Sequence, residues 1–246
     1  MNIRFLGTGA ADWHEPDDAG EYRRWTSTLF DGKLLIDGTP RILDMLGDCE
    51  PIDDVLLTHS HGDHYSVEAL QAIRPKRVFA HESWADEIRL SGIEVRPVRI
   101  GERFEAAGFG ILPLPANHAT SRTHEQPLHY VLVKDGKSVF YATDGAWLTS
   151  AEFQLLRGHR VVLDAIIVDA TIGDGHEGDD RIFEHNSLPM IRMMAETLHA
   201  AGILKPDAPI CLTHLARTLH GSQAELERAN PAPYVVCKDG LTLDIG

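Results

Sequence analysis

The stretch Thr58-His59-Ser60-His61-Gly62-Asp63-His64 follows directly on the apolar run Asp54–Leu57. Three imidazoles and one carboxylate within six residues, at a strand-to-helix turn, form a chelating loop. Gly62 is expected to let the backbone turn tightly enough for His61 and Asp63 to face different ways. A polar surface turn that happens to hold histidines is the bland alternative. The order His-x-His-x-Asp-His makes it a poor one.

Outward from this loop, short apolar strands alternate with helical stretches along the whole chain. Period-2 patterning and Gly/Asp punctuation predict strands at Ile3–Leu6, Ser27–Phe30, Lys33–Asp37, Asp54–Thr58, Arg77–Ala80, Glu94–Ile100, Gly110–Leu114, His129–Val133, Ser138–Ala142, Ala165–Asp169, Pro209–Thr213, Tyr234–Cys237 and Leu241–Ile245. Lys134-Asp135-Gly136-Lys137 predicts a tight hairpin, and Lys238-Asp239-Gly240 repeats its turn residues. Helices are predicted at Ser66–Ile73, Ser83–Ser91, Thr149–Leu156, Leu188–Ala201 and Ser222–Arg228. Ser66 and Ser222 stand as N-caps, the latter with Glu225 in a capping box, and Pro189 suits a first helical turn. The polar loops Ala10–Thr26, Ala116–Pro127 and Thr171–His185 each follow a strand end and are expected to carry function. With no repeat and no linker composition, residues 1–246 read as a single domain with its loops gathered around one site.

Hydrophobic residues make up 43% and charged residues 24% of the 246, which excludes a disordered chain, a coiled coil and a fibre. The longest apolar candidate, Val161–Ala170, carries Asp164 and Asp169 and falls short of the roughly 20 residues of a membrane span. Cys49, Cys211 and Cys237 are too few for a disulfide framework, and a cytoplasmic address is expected. With 23 basic against 37 acidic residues, the net charge is −14, which opposes a nucleic-acid polymer as partner. A count of 14 histidines directs attention to metal or proton chemistry.

The chain resembles the metallo-β-lactamase superfamily, whose hallmark is the His-x-His-x-Asp-His loop, from Phe5-Leu6-Gly7-Thr8-Gly9 to Thr213-His214-Leu215. The resemblance implies an αββα sandwich of the four-layer α/β class, with a dinuclear centre at the sheet edges. It also implies the remaining ligands: His118 in Pro115-Ala116-Asn117-His118, Asp144 in Thr143-Asp144-Gly145, and His214 in Leu212-Thr213-His214. His59, His61 and His118 would hold one divalent cation and Asp63, His64 and His214 the other, with Asp144 bridging. Zn²⁺ and Mn²⁺ both suit this donor set, and Fe²⁺ is accepted. A bridging Asp fits hydrolases of phosphoesters or thioesters and disfavours a classical β-lactamase.

Within the superfamily the chain is most similar to the cyclic phosphodiesterase of the carbon–phosphorus lyase pathway, through Ile111–His118, Val139–Trp147 and Val168–Leu188. That likeness implies hydrolysis of a small phosphodiester, cyclic or open, by hydroxide held between two metals. It implies a catalytic role for His185, just before the late helix, as proton donor to the leaving alkoxide. His220 is a lesser candidate for phosphate contact. One departure stands out: Ala10–Asp18 holds no cysteine where the family enzyme builds a structural zinc site, so no such site is expected. The roles of His14, His124 and His129 stay open. Rival readings are a transfer-RNA 3′-processing phosphodiesterase, for which no basic arm is visible, and a glyoxalase-type thioesterase or lactonase, for which no basic C-terminal extension is visible. A ligand-free scaffold would be expected to have lost some of the seven ligands. A homodimer is compatible with the composition.

Overall fold

The computed structural model describes residues 1–47 and 51–246, so Cys49 lies outside the described residues. One sheet contains β1 (Asn2–Gly7), β2 (Ser27–Phe30), β3 (Leu34–Ile36), β4 (Asp54–Leu56), β5 (Arg77–His81), β6 (Glu94–Val98) and β14 (Thr242–Asp244), in the order β14-β1-β2-β3-β4-β5-β6. The other contains β7 (Phe104–Ala106), β8 (Phe109–Pro115), β9 (Leu128–Lys134), β10 (Lys137–Ala142), β11 (Ala165–Asp169), β12 (Ile210–Thr213) and β13 (Tyr234–Val236), in the order β13-β12-β11-β10-β9-β8-β7. Helices α1 (Leu43–Leu46), α2 (Val67–Ile73), α3 (Ser150–Gly158), α4 (Leu188–Ala200) and α5 (Gln223–Ala229) complete the αββα sandwich.

Alternation along the strands builds the layers, because successive side chains leave a strand on opposite faces. Ile3, Phe5, Leu34 and Ile36 of the first sheet meet Ile111, Tyr130, Val139 and Tyr141 of the second in one buried cluster. Phe30 packs edge-on against Phe109 and Tyr141 there, at centroid distances of 6.2 and 6.5 Å. The intervening residues face outward: Leu35, Val55 and Val78 pack with Leu70 of α2, while Leu114, Phe140 and Val168 pack with Ile191 and Leu198 of α4. Truncating one such aromatic to alanine typically removes about 3–5 kcal/mol.

Several predicted elements take a different form. Ser83–Ser91 folds as a single 3₁₀ turn, Ala85–Glu87, rather than a helix. The Ser83 hydroxyl is engaged with His81 and accepts from the Gln126 amide, and the Arg89 guanidinium takes the Asp86 carbonyl, so neither serves a helix. Lys238-Asp239-Gly240 does not close a hairpin: it carries the chain from β13 in one sheet to β14 in the other, with only Gly240 of the three at positive φ. The Asp135-Gly136 turn does join β9 to β10, both residues having positive φ. Gly62 has no positive φ and open space where a Cβ would stand, so the chelating loop does not require glycine there. Gly7 is the demanding position, since a Cβ would lie 1.9 Å from the Trp25 carbonyl oxygen. The short elements β7 and α1 lacked enough residues to show a period. Among the described residues no helix is long and apolar enough to cross a membrane.

Topology gathers the long loops at one edge. β3 and β4 are parallel neighbours, as are β10, β11 and β12. The segments leaving their C-terminal ends therefore emerge side by side, which is where open α/β sheets form crevices.

Candidate metal centre

At this edge the described residues form four overlapping groups of donor atoms, two of which, Asp144 with Asp169, His185 and His214, and His118 with Glu184 and His185, include His185; the other two contain all seven ligands expected from the sequence. His59, His61, His118 and Asp144 form one, and Asp63, His64, Asp144 and His214 the other, the donor atoms of each lying within 4.8 Å of one another. Asp144 belongs to both. Its Oδ2 lies 3.2 Å from His59 Nε2 and 3.0 Å from His64 Nε2, and its Oδ1 lies 2.8 Å from His214 Nε2. His118 Nε2 stands 3.2 Å from His61 Nδ1, and His64 Nε2 stands 3.4 Å from His214 Nε2.

Hydrogen bonds behind the rings fix which nitrogen faces inward. Thr58 Oγ1 donates to Asp37 Oδ2 at 2.8 Å, so at 2.9 Å it accepts from His59 Nδ1–H. His64 Nδ1–H donates to Asp37 Oδ2 at 2.7 Å. Thr171 Oγ1 donates to the His214 carbonyl and accepts from His214 Nδ1–H at 2.8 Å. His118 Nδ1–H donates to the Glu184 carbonyl at 3.3 Å. Four imidazoles are thus anchored through Nδ1 and turn Nε2 to the centre, the orientation that a metal ligand needs. His59 Nε2 and Asp144 Oδ1 are both buried without a satisfactory hydrogen bond. The donor set fits divalent cations.

Electrostatics point the same way. Asp37, Asp63, Asp144 and Asp169 are all buried, and their close ionic partners among the described residues are histidines alone. Burial opposes ionisation of Asp144, yet His214 and His64 hold its carboxyl well below the usual range. Burial also opposes charge on His214, yet Asp144, Asp63 and Asp169 outweigh it and raise its pKa to about 10. His59 is pushed down to about 3 by burial and by His64. Such a pocket of buried carboxylates calls for positive charge that its own imidazoles supply only in part.

Backbone strain accompanies this geometry. Asp37, Asp144 and His214 follow the ends of β3, β10 and β12 with φ of 59°, 58° and 56°. Left-handed backbone at a non-glycine residue costs of order 1 kcal/mol and gathers at functional sites. Next to Asp144, Gly145 admits no side chain, because a Cβ would lie 2.7 Å from His129 Cε1.

His185 lies beside both groups, stacked on His214 with ring centroids 5.3 Å apart. Its Nδ1–H donates to Asp169 Oδ2 at 2.7 Å. Burial disfavours its charge, but Asp169 more than compensates and raises its pKa. With Asp12, Arg181 and Glu184 it lines an open cavity of about 230 Å³ over the donor atoms.

The remaining histidines are elsewhere. His220 does not line this cavity; its Nε2–H is shared between the carbonyls of Ala170 and Thr171 at 2.8 and 3.0 Å, and burial drops its pKa to about 4. His14 is exposed beside Trp25 and Arg41, His124 pairs with Glu87 on the surface, and His129 is buried against Glu152. Sequence reading missed Asp37, Asp169, Thr171 and Arg181. For the two aspartates a signal existed: each ends an apolar strand, in Leu34-Leu35-Ile36-Asp37 and Ile166-Ile167-Val168-Asp169.

A family model described as a beta-lactamase superfamily domain matches residues 28–214. A UPF0173 metal-dependent hydrolase from Korarchaeum cryptofilum (strain OPF8) is 29% identical over 111 residues, 44% of this chain and 49% of that protein. The match thus spans about half the length of that curated relative. Among solved structures, a diphosphatase from the PhnP family is 23% identical, with 98% of this chain and 96% of that one covered at a TM-score of 0.72. Human tRNase Z, short form, is 17% identical, with both chains fully covered at a TM-score of 0.71. At these identities the two structures bear on the fold.

Proposed function

The chain belongs to the beta-lactamase superfamily, and from that membership we propose that it is a metal-dependent hydrolase of a small phosphodiester, cyclic or open. The observation that carries this reading is Asp144, shared by two groups of converging donors. His59, His61 and His118 would hold one cation and Asp63, His64 and His214 the second, with Asp144 reaching both. Zn²⁺ and Mn²⁺ suit these neutral imidazoles and carboxylates, and Fe²⁺ is compatible. Bound there, such cations supply Lewis acidity towards a phosphoryl oxygen and lower the pKa of water.

The protein's own contribution is orientation and proton supply. Asp37, Thr58 and Thr171 keep the Nδ1 protons in place, so the Nε2 lone pairs need no rearrangement. His185 is anchored through Nδ1 to Asp169, leaving Nε2 to give a proton to the departing alkoxide oxygen. Its raised pKa favours the protonated form that this role requires. A phosphoryl substrate is in keeping with the name of one protein of the same fold, the diphosphatase of the PhnP family. The net charge of −14 argues for a small substrate rather than an RNA.

The test is hydrolysis of bis(p-nitrophenyl) phosphate by protein reconstituted with Mn²⁺, with Asp144→Asn as control. Turnover abolished by the substitution is expected. Absence of turnover with two metals per chain bound would overturn the phosphodiester reading and turn attention to thioesters and lactones.

A further inference from the structure

Gly145 follows Asp144 directly, and its φ lies outside the left-handed region, so the backbone there would accept any residue. What forbids a side chain is the ring of His129: a Cβ would lie 2.7 Å from Cε1 and 2.8 Å from Nε2. That ring is locked from its other edge, Nδ1–H donating at 2.7 Å to Glu152 Oε1, and both residues are buried. Glu152 is fixed in turn, since Oε2 accepts from the Thr149 amide at 2.8 Å and the Thr149 hydroxyl at 3.0 Å, at the start of α3. His129 Nε2 is buried with no hydrogen-bond partner among the described residues. A buried polar atom in that state costs free energy, and the ring edge that carries it is the one pressed on Gly145.

Gly145 also sits where two ligand-bearing turns are tied together. Asn117, next to His118, donates from Nδ2 to the Ala146 carbonyl at 2.7 Å, and its own carbonyl accepts from the Ala146 amide at 3.1 Å. Asn186 donates to the Gly145 carbonyl and accepts from the Trp147 amide, both at 2.8 Å. Asn117 and Asn186 belong to loops, however, whereas His129 stands in β9 and Glu152 in α3, so this pair refers the turn to regular structure. We infer that His129, locked by Glu152, is a positioning residue: through Gly145 it sets the place of the Asp144 carboxylate that two donor groups share. The inference rests on the reading of Asp144 as a ligand of two cations. Left-handed backbone such as that of Asp144, with φ 58°, persists only where its surroundings over-determine it, and the His129 ring supplies one of those constraints.

The experiment measures Zn²⁺ affinity, by competition with a chromophoric chelator, for the wild type, Gly145→Ala, His129→Asn and the double variant. Asparagine offers an amide N–H in place of His129 Nδ1–H, so it keeps a donor to Glu152 while deleting the ring edge against Gly145. Each single substitution should weaken binding about 10- to 100-fold. In the double variant the alanine methyl enters space that the ring has left, so adding Gly145→Ala to His129→Asn should cost less than about 3-fold, a coupling that independent packing losses do not give. Electron paramagnetic resonance of protein loaded with Mn²⁺ gives a second readout: the coupled signal of paired ions should fall in both single variants and rise again in the double one. Should Gly145→Ala not fold alone, its rescue by His129→Asn is the expected result, and a double variant that also fails overturns the inference. Additive losses, or a Gly145→Ala protein that binds Zn²⁺ as the wild type does, overturn this inference alone. A wild type that binds fewer than two cations overturns the two-cation reading of Asp144 and this inference with it.

Discussion

His185 Nδ1 and Asp169 Oδ2 lie 2.7 Å apart, a charge-assisted pair in which the carboxylate is fully buried at the end of β11. The aspartate both orients the ring and holds its proton. Asp169→Asn should lower kcat by about 10- to 100-fold, in the range of lost general-acid assistance, with little change in KM. Metal content measured alongside should stay within that of the wild type, and the same holds for His185→Ala. A parallel loss of metal would make these residues ligands instead.

Asp37 reaches the centre only through others, accepting from His64 Nδ1, Thr58 Oγ1 and the Thr58 amide. Replacing it with asparagine leaves the ligand set intact but weakens control of the His64 tautomer. Affinity for Zn²⁺ should fall about 10- to 100-fold, read by competition with a chromophoric chelator. An unchanged affinity would show that the ring needs no such anchor.

Removal of metal should lower the melting temperature. A cation present at 1,000 times its dissociation constant stabilises the folded state by about 4 kcal/mol per site. For a chain of this size each kcal/mol moves the midpoint by about 2–4 °C, so a fall of the order of 10 °C is expected for each site emptied. Thermal melts before and after verified chelation decide the matter, and coincident curves would refute it.

His220 gives a pH dependence that is separable from the metals. Its folded pKa of about 4 lies below the ordinary 6.5, because burial disfavours the charged ring. As pH falls from 6.5 to 4 the unfolded chain takes up the proton first, so the associated stability is present above 6.5 and lost on the way down to 4. Urea unfolding of metal-free protein should therefore show His220→Gln losing less stability than wild type across that window, by a difference of the order of 2 kcal/mol. Parallel losses would rule the effect out.

Legibility in the sequence followed locality. His59, His61, Asp63 and His64 are packed into one turn, and no folding knowledge is needed to see them as a unit. Most strands were readable because both of their faces are apolar, as in Val139-Phe140-Tyr141, whose middle residue packs towards α4 while its neighbours face the other sheet. Asp37 and Asp169 were not, since each is a lone carboxylate that joins the site only once β3 lies beside β4 and β11 beside β12. Arg181 had no signal at all: its meaning comes from a cavity wall, which no window of sequence contains. The Ser83–Ser91 helix failed for a related reason, the hydroxyl of its first serine being engaged by neighbouring His81 and by the distant Gln126 amide.

The left-handed backbone at Asp37, Asp144 and His214 sets a trade-off between durability and activity. Glycine at each would relax the chain, and each such change would delete a group from the proposed centre. Engineering for thermostability must look past these positions to others with the same conformation and no part in the site. Arg74, at the end of α2 with φ 54°, and Arg160, just beyond α3 with φ 52°, are such places. Glycine there removes the same strain, of order 1 kcal/mol each, while the reactive edge keeps the tension it is built with.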